Sequence, residues 1–495
     1  MKHISLKNIL FLGALLLTGS GCQKYLSTQP APRASIDSPE SMSELLVSAY
    51  PDANYMAFCE TRSDNVAEIP EVATAVANTE AYLWDIVSAT GADSEIRYWN
   101  RCYEAIAVAN LALDAIAHVE KPDLYRAQKG EALVARAYTH FMLASLFSKI
   151  YNPATAASDP GIPYVTEPEN VVIKKYERKT VAYVYEQIEK DLEEGIPLIN
   201  DNAYKIPAYH FTVRAAYAFA TRFYLFKRDW PKVIHYAGLA FPNKSYLAYL
   251  RPWATTYSSM TGADMRANYN KATEKANLLL KETISSWATQ YDNRRYMTHR
   301  DTLLRLISKA SDNLIQADMA YVTGSAGNNA SYINKMARYF KASSPNSNLG
   351  NYFMTITLLT TEEVLFNQAE AYAMEEQYAE SLELLNIFIS TRVKNFTAAG
   401  NLTTERIMEY FYPEATAPYD AALLKEAHVK AVLELKRAEF MHEGLRWLDI
   451  LRKDITVTHT RDRGNKTDVL GPDDPRRVLQ LPPLTALSGL EPNPR

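Results

Sequence analysis

Apolar side chains recur three or four residues apart along most of the chain. This spacing places them on one face of an α-helix, so it predicts amphipathic helices rather than strands. The clearest stripes are Ile106-Ala109-Leu113-Ile116, Leu133-Ala137-Phe141-Ala144, Val181-Val184-Ile188-Leu192, Leu382-Leu385-Ile389 and Leu424-Ala427-Ala431-Leu435-Ala438. We therefore expect a mainly α fold.

Several predicted helices come in adjacent pairs. Residues 212–227 are expected to form one helix with Thr212 as its N-cap, and the next helix should open at Trp230-Pro231, where proline suits the first turn. Residues 361–376 and 379–392 form a second pair. Small side chains stand where paired helices must approach each other, at Ala216, Ala220, Ala237, Ala369 and Ala373. This arrangement is typical of tetratricopeptide-like helix pairs, here with irregular spacing between the units.

The helical pattern breaks between about residues 241 and 360. This stretch combines short apolar runs, many aromatic residues and a glycine- and asparagine-rich segment after Tyr321. We expect residues 41–495 to form a single domain, with 241–360 inserted in the helical scaffold as an irregular, loop-rich subdomain that faces the ligand.

The N-terminus has the pattern of an exported protein. Lys2 and Lys7 precede an apolar run that is too short to span a bilayer, so residues 1–21 are predicted to be a signal peptide. Cys22 follows a small residue, as in a bacterial lipobox, where the thiol receives diacylglycerol. Residues 22–40 are rich in Pro, Ser and Thr and are expected to form a lipidated tether. The alternative is ordinary signal cleavage, with Cys22 incidental.

Charge and cysteine content limit the function further. The net charge is −4 and no strongly basic patch occurs, which argues against a nucleic-acid partner. Two cysteines remain after Cys22, namely Cys59 and Cys102. Export would permit a disulfide between them, whereas two buried free thiols are the simpler alternative.

One block near the C-terminus resembles metal-binding motifs but lacks their spacing of ligand residues. His442-Glu443 begins a zinc-protease motif, yet the second histidine position is Arg446. Glu439 and His442 have the spacing of one half of a di-metal site, and no second half is found. We therefore expect no metal, no cofactor and no catalytic residue.

The same block favours a structural network of charges. Its members alternate in sign three or four residues apart, so that neighbours on one helix can pair: Glu439, Glu443, Arg446, Asp449 and Lys453. The guanidinium groups of Arg437 and Arg452 are expected to form bidentate hydrogen bonds with residues of other helices.

The chain resembles the SusD/RagB family of outer-membrane nutrient-binding lipoproteins. The resemblance is spread over the chain in the family's order, and its most specific part is the block from Glu434 to Asp449. The matching segments are Cys22–Pro30, Tyr98–Asn110, Glu131–Tyr138, Gly161-Ile162-Pro163, Thr212–Ala218, Arg228-Asp229-Trp230, Glu363–Ala371, Glu434–Asp449, Leu481-Pro482-Pro483 and Asn493-Pro494.

The resemblance implies a function. Members are lipid-anchored in the outer membrane, are expected at the cell surface, and cap a SusC-like TonB-dependent transporter to which they deliver oligosaccharides or peptides without catalysis. Loops before the Trp99 helix and aromatic residues of the central region contribute ligand contacts in the family. The corresponding candidates are Arg62, Asp64, Asn65, Tyr82 and Trp84, with Tyr257 and Tyr296. Core packing is the alternative for Trp84, and turn capping is the alternative for Asp64 and Asn65.

Two other functions stay open from the sequence. They are a helical scaffold lipoprotein of the envelope without a small ligand, and a surface glycan hydrolase. An exposed aromatic cluster would favour the ligand binder over the scaffold. Two carboxylates facing each other across a cleft would favour the hydrolase.

Overall fold

Amphipathic helices make up most of the architecture, as the apolar spacing predicts. The computed structural model describes residues 38–70, 76–169, 174–290, 295–327, 329–345 and 347–495. The α-helices of this part are α1 (Pro39–Leu46), α2 (Met56–Arg62), α3 (Val76–Tyr82), α4 (Glu95–His118), α5 (Arg126–Phe147), α6 (Val181–Gly195), α7 (Val213–Lys227), α8 (Trp230–Ala240), α9 (Gly262–Tyr269), α10 (Trp287–Gln290), α11 (Arg300–Ile307), α12 (Thr361–Met374), α13 (Tyr378–Ser390), α14 (Thr404–Phe411), α15 (Ala421–Glu439) and α16 (Leu445–Arg452).

The described part of the chain also contains β-strands. They are β1 (Val66–Glu68), β2 (Asn277–Ile284), β3 (Tyr296–Thr298), β4 (Thr323–Ser325), β5 (Ser331–Ile333), β6 (Arg338–Ala342), β7 (Gly350–Thr360), β8 (Val457–Arg461) and β9 (Lys466–Leu470). The predicted signal peptide, Cys22 and most of the tether lie outside the described residues. The last tether residues, Pro39 and Glu40, belong to α1.

Both predicted helix pairs are confirmed. The Thr212 hydroxyl accepts a hydrogen bond from the backbone N–H of Ala215 at 3.1 Å and so caps α7. Arg228 turns the chain in the left-handed region, and Pro231 lies in the first turn of α8. Helices α12 and α13 form the second pair. The five predicted alanines are fully buried, which lets the paired backbones approach closely.

The pairs stack through α12, which contacts α7, α8, α13 and α15. On the N-terminal side α5 packs between α4 and α6. One hydrophobic cluster includes buried side chains from Met42 to Leu490. None of the helices described is long and apolar enough to cross a membrane.

The central region contains more regular structure than its sequence predicts. Strands β2, β7 and β6 form an antiparallel sheet in that order, with Glu282 opposite Thr355 and Tyr339 opposite Phe353. The apolar run of β2 is too short to distinguish a strand from a helix by periodicity, which explains why the sheet was not predicted.

Helix α12 carries three buried carboxylates that bind cations from other elements. Glu362 pairs with Arg251 at 2.8 Å and with Arg392 at 3.1 Å. Glu363 holds Arg222 by two hydrogen bonds of 2.5 Å. These contacts join α7, α12, and the segments before α9 and after α13 through charge-assisted hydrogen bonds.

The third carboxylate, Glu370, is bound by the two terminal nitrogens of Arg452 at 2.5 Å each and by Lys453 at 2.7 Å. Burial alone would raise the pKa of Glu370, but Arg452 and Lys453 lower it well below its usual range. The carboxylate is therefore charged inside the core, and the prediction that Arg452 reaches another helix is confirmed.

The block from Glu434 to Asp449 forms its ion pairs differently from the expectation. The helix breaks after Glu439, where His442 and Gly444 have left-handed backbones, so α15 and α16 are separate helices. The prediction that Glu439, Glu443, Arg446, Asp449 and Lys453 pair with one another along one helix is therefore wrong. Within α16, Asp449 pairs instead with Arg452 at 2.7 Å. Lys436 pairs with Asp449 at 3.0 Å and so joins α15 to α16. Four other pairs involve distant segments: Glu439–Arg392, Glu443–Lys335, Arg446–Asp64 and Lys453–Glu370.

Cys59 and Cys102 are free and buried, and burial raises the pKa of both thiols. We expect a Cys22→Ser variant to leave both unmodified by a polar thiol reagent under native conditions, because neither is exposed as thiolate. After unfolding without reductant, both should react. A thiol count that rises only after adding reductant would contradict this arrangement.

Candidate ligand-binding surface

The aromatic residues predicted to bind ligand are brought together, but in the interior. Tyr296, Tyr82, His459 and Trp84 form one continuous stack, with successive ring centroids 4.1, 4.0 and 4.4 Å apart. The Trp84 indole N–H donates to the backbone oxygen of Arg62 at 3.0 Å, and its side chain is 0% exposed. The expectation of an exposed loop aromatic is therefore wrong for Trp84, which packs in the core.

Sequence reasoning missed His459, the ring that links Tyr82 to Trp84. It lies on β8, where Val457 and His459 point inward and Thr458 points outward. Burial lowers the pKa of His459, so a neutral imidazole fits between the rings. The two-residue alternation is the signal that would have indicated its burial.

The predicted polar residues also make internal contacts. Arg62 binds Glu95 with hydrogen bonds of 2.6 and 3.0 Å. The Asn65 side chain accepts from Arg437 at 2.7 Å, and Asp64 accepts from two nitrogens of Arg446 at 2.8 Å each. These residues dock α2 and the turn after it on α15 and α16.

Tyr257 lies apart from this cluster. Its ring packs edge-on against Trp253 with 5.3 Å between centroids, and its hydroxyl donates to Glu274. A role in ligand contact for any of the seven predicted residues stays a prediction, since all of them are wholly or mostly closed off from solvent in this structure.

Exposed aromatic side chains occur instead on the hairpin formed by β6 and the first part of β7. We call residues 338–342 and 350–353 the aromatic hairpin. Tyr339, Phe340 and Tyr352 are 37%, 45% and 44% exposed. Such a group of exposed rings is not explained by packing and marks a surface for interaction.

The strand register assigns these rings to two faces of the hairpin. On one face Phe340 contacts Tyr352 at 5.4 Å between centroids, and the Arg338 guanidinium lies 4.0 Å from the Tyr352 ring. On the other face Tyr339 stacks on Phe353. Each face thus combines an apolar ring surface with hydrogen-bonding groups, which suits a sugar ring with its apolar face and its hydroxyls.

Glu282 of β2 organises the Tyr339 face. Its carboxylate accepts hydrogen bonds from the Tyr339 hydroxyl and from the Lys341 ammonium group. Burial and Glu282 raise the pKa of Tyr339, and Tyr209 contributes to this rise. Tyr209 therefore lies within electrostatic reach of Tyr339.

A groove lies at the start of β2. Residues 207–209 pack on β2, and Pro207 is part of the groove wall. The groove has a volume of about 570 Å³, within the range of small-ligand sites. It is lined by the start of α7, the end of α8 and residues 272–278, and we call it the Arg214 groove. Tyr217 and Tyr249, both half-buried, contribute aromatic walls.

A cavity of about 740 Å³ lies beside α15, away from the hairpin. Its cations are already bound by carboxylates of the chain: Lys425 by Glu376, Lys430 by Glu426, Lys453 by Glu370 and Arg446 by Asp64. The surface that best fits a polar, ring-shaped ligand is therefore the aromatic hairpin with the adjoining groove.

Comparison with known proteins identifies the fold. Residues 24–225 match the SusD-like family described as starch-binding and associating with the outer membrane. A SusD superfamily protein from Bacteroides thetaiotaomicron has a TM-score of 0.67 at 18% identity, with 92% of this chain and 100% of that chain covered. The N-terminal part of the chain thus matches the SusD-like family, and the chain as a whole has the SusD-like fold.

Other solved structures extend the likeness of this SusD-like protein. A SusD-like carbohydrate binding protein from Bacteroides vulgatus has a TM-score of 0.64 at 16% identity and covers 91% of this chain and 96% of its own. A SusD superfamily protein from the same species has a TM-score of 0.65 at 17% identity, with coverage of 92% and 97%. No curated protein matches the chain in sequence. The helical, tetratricopeptide-like architecture predicted for the SusD-like protein is thus confirmed.

The ion pair between Arg446 and Asp64 is expected to stabilise the SusD-like protein. Truncation in Arg446→Ala should lower the free energy of unfolding by about 1–3 kcal/mol, because it strips the buried Asp64 carboxylate of its bidentate partner. Chemical denaturation at neutral pH measures the loss. Arg305→Ala is the control, since Arg305 is half-exposed in its pair with Glu434 and should contribute less.

The loss should also depend on pH. Burial alone would raise the pKa of Asp64, but Arg437 and Arg446 lower it well below its usual range. A carboxyl group with a lowered pKa stabilises the fold above its unfolded pKa of about 3.9 and loses this effect as pH falls. The difference between wild type and Arg446→Ala should therefore shrink below about pH 4. A difference that grows on acidification would contradict the pairing.

Proposed function

We propose that this SusD-like protein is a non-catalytic, lipid-anchored protein of the outer membrane that binds oligosaccharides and delivers them to a SusC-like TonB-dependent transporter. The exposed rings of the aromatic hairpin are the observation that carries the proposal. They supply the stacking surface that sugar binding requires and that a scaffold without a ligand does not need. The family description and the carbohydrate-binding neighbour support the same ligand class.

The hydrogen bonds of the acidic residues in the groove argue against a glycan hydrolase. Asp201 and Glu274 are the acids that line the Arg214 groove. Asp201 accepts from the backbone N–H of Val213 at 2.8 Å, and Glu274 accepts from the Tyr257 hydroxyl and the Ala276 N–H. Because internal donors occupy both oxygens of Glu274, this carboxylate is poorly placed as an acid or a base. Chromatography of bound oligosaccharides after long incubation should detect no products.

Truncation of one exposed ring should weaken oligosaccharide binding. We expect Tyr352→Ala to raise the Kd of a bound glycan about five- to tenfold, because one stacking contact contributes about 1 kcal/mol. A glycan array identifies the ligand, and calorimetry measures the affinity. The melting temperature should stay close to that of the wild type, since Tyr352 supports little of the core.

Tyr183 offers a matched control for this experiment. It is 38% exposed on α6, which packs mainly against α5. Tyr183→Ala should leave the affinity unchanged. Equal effects of the two substitutions, or unchanged binding by Tyr352→Ala and Phe340→Ala together, would remove the hairpin from the site.

Anchoring is tested at Cys22. Replacing Cys22 with Ser removes the thiol that accepts the diacylglycerol, so the variant should move from the membrane pellet to the soluble fraction in detergent-free fractionation. Cys59→Ser is the matched control and should stay in the pellet. A Cys22→Ser protein that still sediments with membranes would contradict lipid anchoring.

A further inference from the structure

One guanidinium group in the Arg214 groove is held rigidly without an anionic partner. The Arg214 guanidinium lies 4.3 Å from the Tyr249 ring centroid and 5.3 Å from that of Phe241. It donates to the Ala240 backbone oxygen at 3.2 Å and to the Tyr249 hydroxyl at 3.3 Å. Across the described ranges, no carboxylate lies within 4 Å of its nitrogens.

This arrangement differs from that of the other cavity cations. The four cations that line the cavity beside α15 each bind a carboxylate of the chain. Arg214 binds only neutral oxygen atoms, and two aromatic rings fix its plane. An arginine carries five N–H donors, of which these two bonds use two. The remaining donors match the two oxygens of a carboxylate, and little side-chain entropy remains to be lost on binding.

The acids in the groove do not neutralise Arg214. Asp201 is bound to the start of α7 through Val213, and Glu274 is bound to Tyr257 and Ala276. Both carboxylates therefore have donors of their own. Lys275, a further cation of the groove wall, also has no ion-pair partner in the described part of the chain.

The walls around Arg214 fit a sugar ring. Tyr217 and Tyr249 present half-buried rings, and Pro207, Val213 and Leu278 add apolar surface. A sugar that carries a carboxylate would pack its ring on these walls and direct its charged group to the guanidinium.

We propose that the Arg214 groove binds the carboxylate of an acidic sugar, so that this protein selects oligosaccharides containing uronate residues. The inference rests on the proposed function, because it assigns a ligand class to a groove at the start of β2, in the sheet that carries the aromatic hairpin. Neutral sugar units of the same oligosaccharide would stack on the hairpin, while Arg214 would bind the carboxylate of the acidic unit.

The test compares each acidic glycan with its own neutral form. Polygalacturonate, alginate and glucuronoxylan serve as probes in affinity electrophoresis, each beside a sample whose carboxyl groups have been reduced to primary alcohols. Reduction keeps the sugar ring and removes the charge. At least one native polymer should retard the protein, and its reduced form should bind about tenfold more weakly, as expected for loss of a charged bidentate contact.

Variants assign the effect to the groove. Arg214→Gln should lose the preference for the native polymer while binding the reduced form within about twofold of wild type. Arg214→Lys should keep part of the preference, since lysine retains the positive charge but cannot form the bidentate hydrogen bonds of a guanidinium group. Arg178→Gln is the matched control: Arg178 also binds neutral oxygen atoms, those of Gly161, Glu491 and Asn493, and lies outside the groove. It removes the same charge and should leave the preference intact.

The outcomes separate this inference from the proposed function. Equal binding of native and reduced polymers, a preference that survives in Arg214→Gln, or binding of neutral glycans alone would overturn the uronate assignment and leave oligosaccharide binding standing. Failure of the wild-type protein to bind any glycan on an array would contradict the proposed function itself.

Discussion

The buried carboxylates of α12 are the constraint on which the rest of the structure depends. Glu362, Glu363 and Glu370 are charged groups without access to water, so each requires a cation from another element. The partners come from α7, from the segments before α9 and after α13, and from α16. Apolar packing alone would tolerate small shifts between helices, whereas a bidentate hydrogen bond fixes both distance and direction. The network therefore sets how the helix pairs dock.

This docking also positions the candidate site. Strand β7 leads directly into α12, and Arg222 donates both to Glu363 and to the backbone oxygen of Leu358 at the end of β7. The sheet that carries the aromatic hairpin is thus connected to the ionic core. The Arg214 groove begins on α7, the helix that supplies Arg222. Hairpin and groove keep a defined relation because the contact between Arg222 and Glu363 joins α7 to α12.

The helical scaffold could be predicted because its signals are local. Thr212, Pro231 and the buried alanines act within one helix pair, so spacing along the chain determines them. The partners of Arg446 and Glu439 are not local, and an assumed continuous helix led to the wrong pairs, since the break at His442 and Gly444 has no strong sequence signal. The sequence left the position of Trp84 open between a ligand face and the core for the same reason, because its stacking partner His459 lies far along the chain. The aromatic hairpin escaped prediction because both faces of β6 carry rings, so no alternation of apolar and polar residues marks the strand.

The strand order β2-β7-β6 has a separate consequence for the association of copies of this protein through a sheet edge. In the described part of the chain β6 pairs with β7 alone, so its outer edge offers backbone groups to which another chain could add a strand. Exposed rings on this edge would increase that attraction. Lys341 is paired with Glu282, whereas Arg338 places a positive charge without a carboxylate partner in the described residues on the five-residue strand, and a second copy in register would bring like charges together. Arg338, which borders the rings, would thus oppose self-assembly while the aromatic surface stays available to solutes.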